Sequence, residues 1–299
     1  MKAPIKIIVT GCNGQVGTEL MGLAAGYGMD AMGVDHEELD ITDAEAVSRL
    51  LEQQQPQAVI NAAAYTAVDK AESEPELAFA GNRDGPANLA ATCAEQGVPL
   101  LHISTDYVFD GSRQGAYNEN DVVSPLGVYG ASKQAGDLAV QEGCEQSIIL
   151  RTSWVFSAHG NNFVKTMLRL GQDRELLSVV ADQFGCPTAA RDIARTLYSM
   201  LLANIDAGNK GRWGIYHFCQ PEPINWHGFA EAIFAEARSQ GIALKVSELK
   251  PISTQEYPTA AQRPANSVLD CSKIENDLKL TIRPWSESLA EVIGELKSA

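Results

Sequence analysis

Hydrophobic residues along this chain come in short, dense runs separated by stretches with helical periodicity. Ile5 to Thr10 is a β-branched, nearly continuous apolar run, the pattern of a strand buried on both faces. It breaks at Gly11-Cys12-Asn13-Gly14-Gln15-Val16-Gly17. Val16, Leu20, Leu23 and Ala24 then share one helical face up to Gly26-Tyr27-Gly28. Met29 to Val34 predicts a second strand that stops at Asp35. Thr42 is the expected N-cap of the next helix, with Glu45 completing a capping box, and Ala58 to Asn61 predicts a third strand. A helix from about Pro86 to Glu95, a strand from Leu100 to Ser104, a helix from Tyr129 to Gln141 and a strand from Ser147 to Trp154 continue the alternation. Strands separated by helices imply β-α-β units and a parallel sheet, the doubly wound α/β class.

After about Phe156 the rhythm loosens. Pro221, Pro223, Pro251, Pro258 and Pro264 punctuate shorter elements, and the clearest helices are Trp226 to Ala237, capped by Asn225, and Ser286 to Lys297. The expected organisation is a Rossmann-type dinucleotide-binding domain over 1–155 and a smaller α+β substrate-binding lobe over 156–299, with later segments free to rejoin the first sheet.

Composition narrows the partners. The 299 residues carry 23 Lys and Arg against 38 Asp and Glu, a net charge of −15. That balance argues against nucleic acid and anionic membranes, which are bound mainly by neutralising phosphate charge. No apolar run approaches the roughly 18 residues of a membrane span, and the first strand is too short for a signal-peptide core. The six cysteines form no C-x-x-C pair and the five histidines no metal-ligand spacing. Reduced thiols in a cytoplasmic protein, with no structural metal, are the expectation.

Two features carry chemistry. Gly11, Gly14 and Gly17 lie between a strand and a helix, where glycines permit a tight turn and helix N-terminal amides receive a diphosphate. Asp35, at the end of the second strand, is placed to accept hydrogen bonds from ribose hydroxyls. His36, Glu37 and Glu38 offer no Lys or Arg to a 2′-phosphate, so NADH is favoured over NADPH. Farther on, Tyr129 and Lys133 stand at i and i+4 on one helical face. An adjacent ammonium would lower a phenol from its ordinary value of about 10 towards working pH. Ser104-Thr105-Asp106 ends a central strand at the edge where open α/β sheets bind ligands. Thr105 could there bond a substrate oxygen, and Asp106 could accept from sugar hydroxyls.

Together these elements resemble the extended short-chain dehydrogenase/reductase superfamily, and within it the dTDP-4-dehydrorhamnose reductase family. The likeness extends to Asn61-Ala62-Ala63-Ala64-Tyr65-Thr66, Ser104 to Phe109, Ser124 to Gly130, Arg151 to Val155, Gly160 to Phe163 and Arg263-Pro264. It implies NAD(P)H-dependent reduction of a 4-keto nucleotide sugar, with Thr105, Tyr129 and Lys133 as the catalytic group. It implies a cofactor site of Gly11, Gly14, Gln15, Val16, Gly17, Asp35, Asp40, Ile41, Ala62, Ala64, Tyr65 and Thr66, joined by Tyr129 and Lys133. Thr105, Asp106, Trp154 and Arg263 would meet the substrate, Arg263 at its diphosphate, or else Arg263 pairs with a surface carboxylate. The family is associated with magnesium at a homodimer interface. Glu19 fits one ligand, but Arg191 stands where the second carboxylate is expected, so magnesium is not supported here. Asp106-Tyr107 lacks the acid pair of a 4,6-dehydratase. Another nucleotide-sugar epimerase or reductase, and a non-catalytic reductase-like subunit of a synthetase, remain the alternatives.

Overall fold

The computed structural model describes residues 3–207 and 211–298. The chain opens with β1 (Ile5–Thr10), α1 (Gln15–Leu23), β2 (Met29–Val34), α2 (Ala44–Gln54) and β3 (Ala58–Asn61). Short helices α3 (Val68–Ala71) and α4 (Pro75–Phe79) lead through a π-helical stretch, Ala80–Asp84, into α5 (Gly85–Gln96), β4 (Leu100–Thr105), α6 (Val128–Gly143) and β5 (Ser147–Thr152). Next come β6 (Val155–Phe156), α7 (Phe163–Asp173), β7 (Leu176–Val180), β8 (Phe184–Gly185), β9 (Thr188–Ala189), α8 (Ala190–Ala207) and β10 (Gly214–His217). The last elements are β11 (Ile224–Asn225), α9 (Trp226–Ser239), β12 (Glu248–Ile252), α10 (Ser272–Leu278) and α11 (Trp285–Ser298).

Six strands form one parallel sheet in the order β10-β5-β4-β3-β1-β2. Alternate residues of each strand feed opposite faces, which is why the runs are apolar throughout. Ile7, Val9, Ile148 and Leu150 join the core beneath α1 and α8, while Ile8 and Ile149 join the one beneath α2, α5 and α6. The chain reverses direction across the sheet between β1 and β3, and the crevice beyond their carboxyl ends is where such sheets take ligands. A separate core of Phe156, Val164, Phe229, Ile233, Trp285 and Leu289 organises α7, α9 and α11. Among the described residues no helix is long and apolar enough to cross a membrane.

Three details differ from the sequence reading. Asp43, not Thr42, caps α2, accepting from Ala46 N at 3.0 Å, because the Thr42 hydroxyl is taken by Asp40 at 2.8 Å. The strand expected to reach Trp154 stops at Thr152, since Trp154 turns into the left-handed region at φ 46°. The long helix α8 went unread. With β10 it brings the chain back to the first sheet: Ile193, Ala194, Leu197, Tyr198 and Leu201 lie in the same core as Val16 and Leu20, and Tyr198 donates to Leu20 O at 2.7 Å.

Candidate active site

The glycine turn is built by exclusion. Gly11 has φ +67°, and a Cβ there would lie 2.6 Å from Ala63 N, while one at Gly17 would lie 2.1 Å from Gly11 O. Neither position tolerates a side chain, so β1 passes directly into α1 against the loop after β3. Gly14 is the N-cap of α1, no side chain caps this end, and no acid sits in its first turn. The amides of Gln15, Val16 and Gly17 therefore keep their positive end uncancelled, a setting that suits a diphosphate.

Asp35 sits where β2 ends, half-buried, and its carboxylate accepts from Asn13 Nδ2 at 2.5 Å and His36 N at 2.7 Å. Asn13 was not singled out in the sequence, yet it joins the glycine turn to this acid. Asp40 is exposed and held below the usual carboxylate range by the Thr42 backbone and hydroxyl. Ile41 is buried among Val47, Leu51 and Leu89. Ala62 follows β3, its N–H donating to Thr10 O at 3.1 Å. Tyr65 exchanges two hydrogen bonds with Asn82 at 2.9 and 3.0 Å and donates from its hydroxyl to Glu74 at 2.6 Å; that bond pushes the phenol up to about 12. Ala64 is half-buried beside it and Thr66 exposed.

Thr105, Asp106, Tyr129 and Lys133 converge at the carboxyl end of β4 and the start of α6. Thr105 Oγ1 donates to Asp106 Oδ1 at 3.0 Å. Asp106 is buried, its Oδ2 has no hydrogen-bond partner, and burial pushes its carboxyl up to about 6 against the opposing pull of Ser267 and Thr105. An unpartnered buried carboxylate oxygen at a sheet edge fits a ligand hydroxyl. Tyr129 lines a cleft with Tyr107, Gly127, Gln262 and Pro264, and its ring meets Tyr107 edge-on at 5.7 Å. Its hydroxyl is pushed up to about 12, chiefly by burial, with Thr105 pulling down and Asp106 and Asp137 pushing up.

This corrects one expectation. Lys133 does share a helix face with Tyr129, but its Nζ donates to Ile103 O at 2.7 Å and lies 3.3 Å from His102 Nε2. Burial pulls it down to about 8. Desolvation, not a neighbouring ammonium, dominates the phenol, which is therefore held firmly protonated. Sequence reasoning also missed the polar residues behind Lys133. Thr10 donates to Asn61 Oδ1 at 2.7 Å, Asn61 Nδ2 to His102 Nδ1 at 2.9 Å, and Arg151 to Asp137 at 3.0 Å, all buried. Their one visible signal is a polar residue in an otherwise apolar strand, as at Asn61 and His102.

Trp154 stacks on Trp226 with ring centroids 3.4 Å apart, and Phe163 packs against Trp226 at 4.7 Å. Arg263 pairs with Asp69 at 2.8 Å, the carboxylate-bound alternative, although it adjoins the Tyr129 cleft through Gln262 and Pro264. Magnesium fits poorly at Glu19. Glu19, His159 and Glu295 bring one ligand atom each within 4.8 Å of the others. Yet the Arg191 guanidinium already binds Glu19 at 2.9 Å and Glu295 at 2.5 Å, a fixed cation on the oxygens that a metal would need.

A parallel sheet with a glycine turn after β1 and a Thr-Tyr-Lys group at the carboxyl edge defines a short-chain dehydrogenase/reductase of the extended type. The RmlD substrate binding domain model matches residues 5–298, and the chain belongs to that family. It is 43% identical over 288 residues to the dTDP-4-dehydrorhamnose reductase of Aggregatibacter actinomycetemcomitans, covering 96% of this chain and 98% of the relative. The Escherichia coli K12 protein of the same name is 38% identical over 296 residues, 98% of each. The crystal structure of dTDP-4-dehydrorhamnose reductase from Bacillus anthracis in complex with NADP superposes with a TM-score of 0.90 at 37% identity, covering 98% of this chain and 99% of that one.

Proposed function

We propose that this protein reduces the 4-keto group of dTDP-4-dehydro-L-rhamnose to give dTDP-L-rhamnose. The observation that supports this reading is the placement of Thr105 at the carboxyl end of β4 beside α6, which carries Tyr129 and Lys133 on one face, with Tyr129 lining a cleft. When bound, NAD(P)H supplies the hydride to C4 of the sugar. The chain's own residues do the rest. Gly11, Gly14 and the amides of Gln15, Val16 and Gly17 hold the cofactor diphosphate; Ala62, Ala64, Tyr65, Thr66, Asp40 and Ile41 shape the adjoining wall.

Tyr129, kept protonated by burial, gives its hydroxyl proton to the sugar O4 as negative charge develops there, a contribution of general acid catalysis worth about 10²–10⁴-fold. Thr105 holds that oxygen in line. Asp106 receives a sugar hydroxyl on its unpartnered oxygen. Lys133, as an ammonium, steadies the phenolate left behind. Trp154, backed by Trp226, forms the sugar's apolar wall, and Arg263 swings between Asp69 and the substrate diphosphate.

NADH is used at least as well as NADPH, because Asp35 and Glu38 place negative charge where a 2′-phosphate would lie, Glu38 Oε2 accepting from Asp35 N at 2.9 Å. The division into a cofactor-binding part over 1–155 and a substrate lobe beyond it is part of the same reading, with α8 and β10 serving the first part. The test is a coupled assay in which the 4-keto sugar nucleotide is generated, this protein and NADH are added, and absorbance loss is followed with product identification. Formation of dTDP-L-rhamnose supports the reading. Cofactor binding without turnover would leave the non-catalytic subunit in its place.

A further inference from the structure

The buried hydrogen bonds behind Lys133 fix where protons sit. Asn61 Oδ1 accepts both the Thr10 hydroxyl at 2.7 Å and the Ala63 N–H at 3.1 Å. Since a backbone N–H can only donate, the Asn61 amide cannot be turned over without setting its NH₂ against that donor. Its Nδ2 therefore points to His102 Nδ1 at 2.9 Å, and Nδ1 must be the unprotonated nitrogen. His102 has no exposed surface, and burial together with Lys133 pulls it well below the ordinary histidine value, so the ring is neutral. A neutral ring bare at Nδ1 carries its proton on Nε2, and Nε2 faces Lys133 Nζ at 3.3 Å. An ammonium has no lone pair to accept that N–H; a neutral amine has one.

We propose that His102 is a positioning residue for Lys133, its Nε2–H held by Asn61 so as to stabilise the neutral amine and set how readily Lys133 gives up a proton. The proposal rests on the reading of Tyr129 and Lys133 given above, and the protons balance. The Tyr129 O–H breaks as the sugar O4–H forms; when Lys133 gives up a proton in restoring the phenol, its freed lone pair accepts the His102 Nε2–H. Solvent later returns a proton to Lys133. Ile103 O keeps one Lys133 N–H throughout, so the amine does not reorient.

The other groups facing Lys133 do not do this. Asp137, on the same helix, favours the ammonium but is itself paired with Arg151 from β5. Tyr129 on that helix is the acceptor, and Asp106, beyond β4, acts on Tyr129. From β1 and β3 come only the uncharged Thr10 and Asn61, and Arg83 and Asp84 of the π-helical stretch pair with each other at the surface.

The test combines a measurement on the unaltered protein with a variant. In the ¹⁵N-histidine-labelled full chain, long-range ¹H–¹⁵N correlations should show His102 bare at Nδ1 and protonated at Nε2, its signals identified by their loss in His102→Phe. An Nδ1–H tautomer or a charged ring overturns the proposal. His102→Phe, which keeps the ring and removes both nitrogens, should move the alkaline limb of kcat upward by about one pH unit, with KM for both substrates within about threefold. An unmoved limb in a folded variant also overturns it. If His102→Phe does not fold, His102→Gln supplies the signal assignment and the tautomer decides. If the protein proves to have no reductase activity, the functional reading fails, while the tautomer still reports on the His102–Lys133 pairing.

Discussion

Asn13 Nδ2 donates to Asp35 Oδ2 at 2.5 Å, so the residue inside the glycine turn and the acid at the end of β2 are one unit. In the function proposed above, cofactor choice rests on this carboxylate, which Asn13 holds in place. Removing its charge while keeping its shape, Asp35→Asn, should raise kcat/KM for NADPH relative to NADH by about tenfold, equivalent to about 1.4 kcal/mol. Steady-state assays with both cofactors decide this, and an unchanged ratio would remove Asp35 from the specificity argument.

Tyr129 is the group assigned to give its proton to the developing alkoxide, with Thr105 only orienting that oxygen. Tyr129→Phe should lose at least ~10²-fold in kcat while cofactor affinity, measured by fluorescence titration, stays within about twofold. The ring, its contact with Tyr107 and the helix face are all preserved in this variant. Near-normal turnover would mean that another group protonates the sugar.

Much of this arrangement was readable in the chain, for a physical reason. Strands buried on both faces have to be continuous apolar runs, so Ile5–Thr10 and Leu100–Thr105 announce themselves. A helix fixes Tyr129 and Lys133 on one face whatever surrounds it. What surrounds it was not readable: desolvation of the Tyr129 phenol depends on cleft residues such as Gln262 and Pro264, far along the chain. His102 looked like an isolated polar residue in a strand, because its partners Asn61 and Lys133 lie on other elements. Similarly α8 begins with Arg191, Asp192 and Arg195, whose charges obscure the apolar face of Ile193, Leu197 and Leu201. Arg195 pairs with Asp192 within the helix at 3.1 Å, but the rest is explained by residues elsewhere, as when Arg283 binds Asp192 at 2.9 Å.

Asp106 predicts an acidic limb. Its carboxyl is raised to about 6 by burial, so it is ionised above that pH and protonated below it. A sugar hydroxyl donates well to the ionised form, and kcat/KM for the nucleotide sugar should fall as pH drops through about 6, with kcat at saturation affected less. In Asp106→Asn the acceptor oxygen persists without titrating, so the limb should disappear while the overall value drops. Measuring kcat/KM from pH 5 to 8 in both proteins tests this, each pH chosen around the roughly one-unit spread of perturbed carboxyls. An identical acidic limb in Asp106→Asn would assign it to another group.

Arg191 carries the last prediction. Its guanidinium holds Glu19, which is 5% exposed, and Glu295 at the junction of α1, α8 and α11. Arg191→Ala would leave a buried carboxylate facing another acid, and leaving one partner of such a pair behind costs more than the pair contributes. Because Arg191 is itself a quarter exposed, solvent screens part of that cost. The expected destabilisation is about 1–3 kcal/mol in denaturant melts. With the arginine present, EDTA should change neither Tm nor turnover. With it removed, the Glu19, His159 and Glu295 oxygens and nitrogen are free to bind a divalent cation, and millimolar magnesium should recover part of the lost Tm. Sensitivity of the unaltered protein to EDTA would show that the guanidinium does not replace a metal there.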